Sequence, residues 1–285
     1  MNNRAGKSLN QQQGVEVFSL ASGSSGNCTL IKSPGCNVLI DAGLGIRKLS
    51  SLLHGKGVAA DELHAVLVTH EHIDHTSGLG AIARRCNAGV VANASTLHAC
   101  ALRDELSFET TELATGSELS IKDMVIRSFP VSHDAVEPVG YVVTVGSVSI
   151  TYFTDTGYVS PEVYDSLRGA NLAIVESNHD LEWLRRGPYT REMKARVESK
   201  TGHLSNIDCG DLVARRIEEG GPLTIWLAHL SRVNNSPSLA KRTVETQIKS
   251  RTNTPFVLDI ALRDSPSASW SSRRGAGAVQ LDLGL

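Results

Sequence analysis

This chain of 285 residues has no C-x-x-C pair, no long apolar run and no excess of either charge. Its five cysteines (Cys28, Cys36, Cys86, Cys100, Cys209) are odd in number and scattered. That distribution argues against a disulfide framework or a zinc ribbon and for free thiols, so a cytoplasmic location is expected. No stretch approaches the roughly 18 apolar residues a membrane helix needs, and no membrane partner is expected. Residues 1–13 are polar, lack the apolar centre of a secretory signal and read as a disordered leader. A net charge of −2 removes any global attraction for nucleic acid, so such a role has to rest on local patches. The Ser/Gly-rich segment from Ser22 to Cys28 lacks G-K-[ST] and is not a Walker loop.

What is present is enough apolar sequence, 41%, for a substantial core. Strand-like and helix-like segments alternate from about residue 15 to residue 262, with strand-rich halves and no internal linker. The pattern predicts an α/β fold in which two sheets are covered by helices. Gly146-Ser147 between two β-rich runs signals a hairpin. One domain is expected over residues 14–263. From Asp264 the composition turns to Ser, Arg, Gly and Ala, so residues 264–285 read as a flexible tail.

The densest chemical signal is Thr69-His70-Glu71-His72-Ile73-Asp74-His75, directly after the apolar run 64–68. His70 and His72 lie two apart, so an extended chain points them the same way. Asp74 and His75 then fall in the following turn. Three further metal-capable residues also end apolar strands: His133, Asp155 and His229. Together they supply five histidines and two aspartates, enough for two divalent ions. Two like charges so close need an anionic bridge, for which Asp155 is the candidate. Nitrogen and oxygen donors without thiolate suit Zn, Mn or Fe. His203, in a turn before a helix, is either structural or a proton donor supported by Glu176.

These motifs, with Asp41 in Val38-Leu39-Ile40-Asp41-Ala42-Gly43, resemble the metallo-β-lactamase superfamily. The resemblance implies a four-layer αβ/βα sandwich. It implies that His70, His72 and His133 hold one metal, that Asp74, His75 and His229 hold the other, and that Asp155 bridges. Asp41 would support the site by hydrogen bonding. Glu176 followed later by Gly202-His203-Leu204-Ser205 resembles the phosphodiesterase branch, which gives His203 a role at the scissile phosphate and Glu176 an orienting role. Leu20 to Cys28, Glu176-Ser177-Asn178-His179-Asp180, Gly202-His203-Leu204-Ser205-Asn206 and His229-Leu230-Ser231-Arg232-Val233-Asn234-Asn235 look like the YycJ/WalJ group. That group is similar to 5′-to-3′ exonucleases acting on duplex DNA in repair or replication. The Ser22–Cys28 segment is then either a tight turn or an active-site wall with Asn27 or Cys28 near the metals. His179 and Asp180 either line the cleft or, as is expected, belong to a solvated loop.

Only 47 residues separate Asp155 from His203, too few for the inserted domain of the β-CASP nucleases. Arg185, Arg186, Arg191, Lys194, Arg196 and Lys200 form a local basic cluster, a candidate DNA-backbone track. Tyr189 nearby is a candidate for base stacking. At the end of the tail, Gln280, Leu281, Leu283 and Leu285 resemble the peptide by which bacterial enzymes dock on the sliding clamp. Tethering there would raise the effective concentration of a nuclease on its substrate. The remaining alternatives are a small-molecule or cyclic phosphodiesterase, a glyoxalase-type thioesterase, and a non-catalytic clamp- or DNA-binding adaptor.

Overall fold

A computed structural model describes residues 14–103, 109–220 and 224–273. The first sheet contains β1 (Glu16–Ala21), β2 (Cys28–Lys32), β3 (Asn37–Ile40), β4 (Ala65–Leu67), β5 (Gly89–Ala92) and β6 (Thr110–Glu112). The second contains β7 (Glu118–Ile121), β8 (Met124–Pro130), β9 (Val139–Val145), β10 (Val148–Phe153), β11 (Leu172–Glu176), β12 (Thr224–Ala228) and β13 (Val257–Ile260). A final strand, β14 (Ser269–Ser271), returns to the first sheet. The orders are β14-β1-β2-β3-β4-β5-β6 and β13-β12-β11-β10-β9-β8-β7.

The helices are α1 (Ile46–Gly55), α2 (Ile73–Thr76), α3 (Leu79–Cys86), α4 (Ala94–Arg103), α5 (Pro161–Ser166), α6 (Leu181–Arg186), α7 (Arg191–Val197), α8 (Asn206–Gly220) and α9 (Pro237–Arg251). Strand periodicity sorts the apolar residues into three cores. Along β12, Trp226 and Ala228 face the other sheet, whereas Ile225 and Leu227 face helices α5, α8 and α9. Along β4, Ala65 and Leu67 face the intersheet core, and Val66 turns to the layer holding α1 and α3. The result has the two helix-covered sheets that the alternation predicts, in the four-layer αβ/βα sandwich that the family resemblance implies.

The hairpin at Gly146 forms as expected, with β9 antiparallel to β10 and Gly146 at φ +57°. The reading of 264–285 as a flexible tail starts too early. Ser269–Ser271 pairs antiparallel with β1, and Trp270 packs against the intersheet core. Backbone pairing on a sheet edge, which composition does not encode, accounts for the difference. Residues 1–13 and the candidate clamp peptide 280–285 lie outside the described residues. All five cysteines are free and buried. No helix among the described residues is long and apolar enough to cross a membrane.

Strand direction positions the site. β3 runs parallel to β4, and β10 runs parallel to β11 and β12. β8 and β10 are both antiparallel to β9 and so share a direction. Carboxyl ends from both sheets therefore meet at one edge of the sandwich, where loops beyond strand ends carry polar groups.

Candidate metal centre

Each polar residue at this edge continues an apolar strand. Asp41 follows β3; His70, His72, Asp74 and His75 follow β4; His133 follows β8; Asp155 follows β10; and His229 follows β12. Glu176 closes β11. Its place in the alternation with Leu172 and Ile174 turns it toward the seam between the sheets. The two sheets are tied there by Tyr141 Oη, which donates to Val68 O at 2.7 Å, and by Val139 N, which donates to Thr69 O at 3.0 Å.

Asp41, Asp155 and His229 adopt left-handed backbone, with φ of +61°, +58° and +54°. Asp and His tolerate that region better than most residues, yet it still costs about 1–2 kcal/mol per residue. Strained backbone retained at strand ends aims side chains where extended chain would not. Gly43 permits a close crossing beside them: a Cβ there would lie 1.7 Å from Asp74 O. Gly202 does the same next to His203, where a Cβ would lie 2.2 Å from Arg196 O.

The donor atoms converge. Nitrogens of His70, His72 and His133 lie within 4.8 Å of one another. So do ligand atoms of Asp74, His75 and His229, of His70, His75 and Asp155, and of Asp155, Glu176, His203 and His229. Every residue expected from the H-x-H-x-D-H segment and the later strand ends is brought to one place.

Hydrogen bonds fix the imidazole rings. His75 Nδ1 faces Asp41 Oδ2 at 2.7 Å, His229 Nδ1 faces Glu176 Oε1 at 3.0 Å, His133 Nδ1 faces Gly202 O at 3.2 Å and His70 Nδ1 faces Thr69 Oγ1 at 3.0 Å. In each ring, donation from Nδ1 leaves the Nε2 lone pair directed into the site, the tautomer a metal ligand needs. His70 Nε2 and His229 Nε2 are buried without a hydrogen-bond partner. His75 Nε2 lies 3.2 Å from Asp155 Oδ2, two electron-rich atoms that only a cation between them, proton or metal ion, makes compatible. The donor set therefore fits divalent metal binding.

The electrostatics agree. Burial opposes ionisation of Asp155, but His229 and His75 outweigh it and hold the carboxyl well below the usual range. Glu176 is also fully buried, and His203 and His229 hold its pKa near about 2. Burial opposes protonation of His203, yet the Glu176 carboxylate 2.8 Å away raises its pKa above the ordinary histidine value. His70 moves the other way, lowered by burial and by His75.

The Ser22–Cys28 segment forms a wall of the site. Asn27 Nδ2 lies 2.9 Å from His75 Nε2 and 3.3 Å from Asp74 Oδ2, and Ser22 Oγ accepts from His229 N. Cys28 is fully buried with its thiol pKa raised by burial, so Asn27 is the member of that pair facing the donors. Three further participants carry no signal in sequence spacing. Thr69 bridges Asp41, His70 and His75; Glu71 Oε1 accepts from Val136 N in the His133 loop; and Asn178 Nδ2 donates to His229 O.

Two expectations change. His179 is 1% exposed rather than solvated, and Asp180 caps α6 by accepting from Trp183 N. The basic cluster is also less free than its composition suggests. Arg185 pairs with Glu198, Arg186 with Glu182 and Arg196 with Asp134, while Lys194 Nζ donates to Arg185 O.

Residues 36–229 match the family described as Beta-lactamase superfamily domain. The chain is 38% identical over 241 residues to Exodeoxyribonuclease WalJ of Streptococcus pneumoniae, covering 82% of this chain and 88% of that one. It is 35% identical over 240 residues to Exodeoxyribonuclease YycJ of Bacillus anthracis, covering 84% and 90%. Among solved structures, the metallo-β-lactamase fold protein YhfI of Bacillus subtilis superposes with a TM-score of 0.68 at 17% identity, over 91% of this chain and 100% of that one. A donor cluster at the strand-end edge of such a sandwich and matches that span most of the sequence place this chain in the metallo-β-lactamase superfamily, in its WalJ/YycJ-like group of metal-dependent hydrolases.

Proposed function

We propose that this protein is a DNA exonuclease that hydrolyses phosphodiester bonds from 5′ ends, with a role in DNA repair or replication. The observation that carries the reading is the Glu176–His203 pair, 2.8 Å apart and 3.5 Å from Asp155, in a chain related along most of its length to two exodeoxyribonucleases. His70, His72 and His133 would hold one divalent ion, Asp74, His75 and His229 a second, and Asp155 would reach both; Zn, Mn and Fe all suit these donors. Bound there, such ions lower the pKa of a coordinated water and neutralise phosphate charge.

The chain's own residues supply the rest. Asp41 and Glu176 hold the His75 and His229 rings in one tautomer. Asn27 contacts both His75 and Asp74 through its side-chain amide. Glu176 accepts from Thr156 N and Leu204 N as well as from both histidines, which fixes it as a buried anion. That anion keeps His203 protonated. His203, with its side chain 21% exposed, can reach substrate and donate a proton to the departing alkoxide. Arg191 and Lys200 are candidates for phosphate contacts alongside the partly paired arginines. Gln280, Leu281, Leu283 and Leu285 are proposed to bind the sliding clamp, and equal clamp retention with and without residues 280–285 would refute that.

The deciding experiment digests linear duplex DNA, labelled separately at each end, with Mn²⁺-loaded protein and Asp74→Ala as control. Progressive loss from 5′ ends, absent in the variant, is expected. Hydrolysis of bis-p-nitrophenyl phosphate without DNA digestion would assign the site to a small phosphodiester, and thioester hydrolysis would assign it to a thioesterase. DNA binding without any metal-dependent turnover would indicate an adaptor.

A further inference from the structure

A cavity of about 450 Å³ opens where the loops beyond β11 and β12 meet α6, lined by Asp180, Glu182, Trp183, Arg186, Gly187 and Val233. We infer that this cavity receives an unpaired nucleobase from the strand being digested, stacked on Trp183; the inference rests on the nuclease reading above.

The cavity is joined to the catalytic edge by construction. β11 and β12 run parallel, with Glu176 opposite Ala228, so Glu176 and His229 leave the sheet side by side. The loops that follow remain bonded to each other. Ser231 N donates to Asn178 O, Asp180 N donates to Asn234 O, and Asn235 Nδ2 donates to Ser177 O. Asp180 lies four residues beyond Glu176 and Val233 four beyond His229. At up to about 3.6 Å per residue, the Cα atoms of Asp180 and Val233 lie within about 14 Å of those of Glu176 and His229. With nucleotides spaced about 3.4 Å along one strand of a duplex, that reach covers the first few nucleotides beside the cut.

The lining suits a base better than a phosphate. Trp183 is 46% exposed and Val233 is 41% exposed, two apolar surfaces with no intramolecular cover. The Arg186 guanidinium is spent on Glu182 at 2.8 Å, and Asp180 adds a second carboxylate, so the wall carries more negative than positive charge. A phosphate would be repelled, whereas a neutral ring with amino donors would not. The volume is within the range of small-molecule sites. Beneath Gly187 lies the Asn234 amide, 1% exposed, with neither its oxygen nor its nitrogen hydrogen-bonded.

The need for such a pocket follows from the depth of the site. His70, Asp155 and His229 are 3% exposed or less, so a single strand approaches them more readily than a paired duplex end. Separating the terminal bases is unfavourable, and a stacking surface offsets it.

The test compares wild type, Trp183→Ala and Trp183→Phe, all metal-loaded, on blunt duplex DNA in which one of the first five nucleotides is abasic, with bis-p-nitrophenyl phosphate as control. Wild type should slow roughly 5- to 150-fold at one abasic position, the range seen when base–aromatic stacking is removed. Trp183→Ala should be slowed similarly on intact DNA and become indifferent to the abasic position. Trp183→Phe should keep most of the rate, and all three should hydrolyse the small diester alike. Digestion by Trp183→Ala at the wild-type rate, or undiminished sensitivity to the abasic position in that variant, would overturn the pocket while leaving the nuclease standing. Failure of metal-loaded wild type to digest any DNA would overturn both.

Discussion

Replacing Asp41 by Asn should weaken metal binding without unfolding the protein. Asp41 Oδ1 accepts from Thr69 N at 2.9 Å, and Oδ2 accepts from His75 Nδ1 at 2.7 Å. Asn tolerates φ of +61° and its carbonyl oxygen can keep the Thr69 bond, so the backbone is undisturbed. Its amide nitrogen then faces His75 Nδ1. Two donors cannot meet there, so His75 must carry its proton on Nε2, the atom that faces Asp155. Loss of a carboxylate behind a ligating histidine typically reduces metal affinity about 10- to 100-fold, or about 1.4–2.8 kcal/mol. With free metal at 1,000 times the wild-type Kd, binding should stabilise wild type by about 4.1 kcal/mol. A 100-fold weaker variant should gain only about 1.4 kcal/mol. Competition with a chromophoric chelator measures the affinity, and thermal melts with and without metal measure the linkage. The metal-free proteins should melt alike and the metal-loaded ones apart. Wild-type affinity in Asp41→Asn would refute the assignment of His75 Nε2 as a ligand oriented by Asp41.

Glu176→Gln should lower turnover about 10²- to 10⁴-fold, because Gln cannot accept from both histidines and from Thr156 N and Leu204 N at once; unchanged kcat would remove His203 from the chemistry. Gly43→Ala should destabilise by about 3 kcal/mol or more, since its methyl meets Asp74 O in a packed crossing, and urea unfolding measures the loss. Tyr141→Phe strips a buried donor from Val68 O and should cost about 1–3 kcal/mol, with kcat falling less than in Glu176→Gln. Chelating the metal from wild type should lower the melting temperature, and readdition of Mn²⁺ should restore it; an unchanged melt would indicate that the histidine cluster holds no metal.

Fold and donor set were legible in sequence to different degrees, for physical reasons. Buried strands such as Leu172–Glu176 and Thr224–Ala228 announce themselves as apolar runs that end in, or are followed by, a polar residue. The edge strands Thr110–Glu112 and Glu118–Ile121 do not, because half or more of their residues face solvent and their order comes from backbone pairing. α6 is only six residues long, too short for periodicity, and its start is set by the Asp180 cap. The donors could be read because metal chemistry restricts residue types and spacing. The scaffold behind them could not: Thr69, Glu71 and Asn178 are ordinary polar residues whose roles depend on contacts between distant segments. The basic cluster shows the converse, since its composition suggests free charge while Asp134, 62 positions before Arg196, neutralises part of it.

The donor clusters also bear on how the two halves of the chain are held together. His70 and His72 come from the loop after β4, in the first sheet, whereas His133 follows β8, in the second. Asp74 and His75 belong to the first half and His229 to the second. Neither the His70–His72–His133 trio nor the Asp74–His75–His229 trio is complete within one half, so both become available only after the sheets have docked. A metal ion held by either trio would act as a fastener across the seam. Its binding free energy would oppose separation of the halves, so that release of the ion and opening of the sandwich are thermodynamically linked.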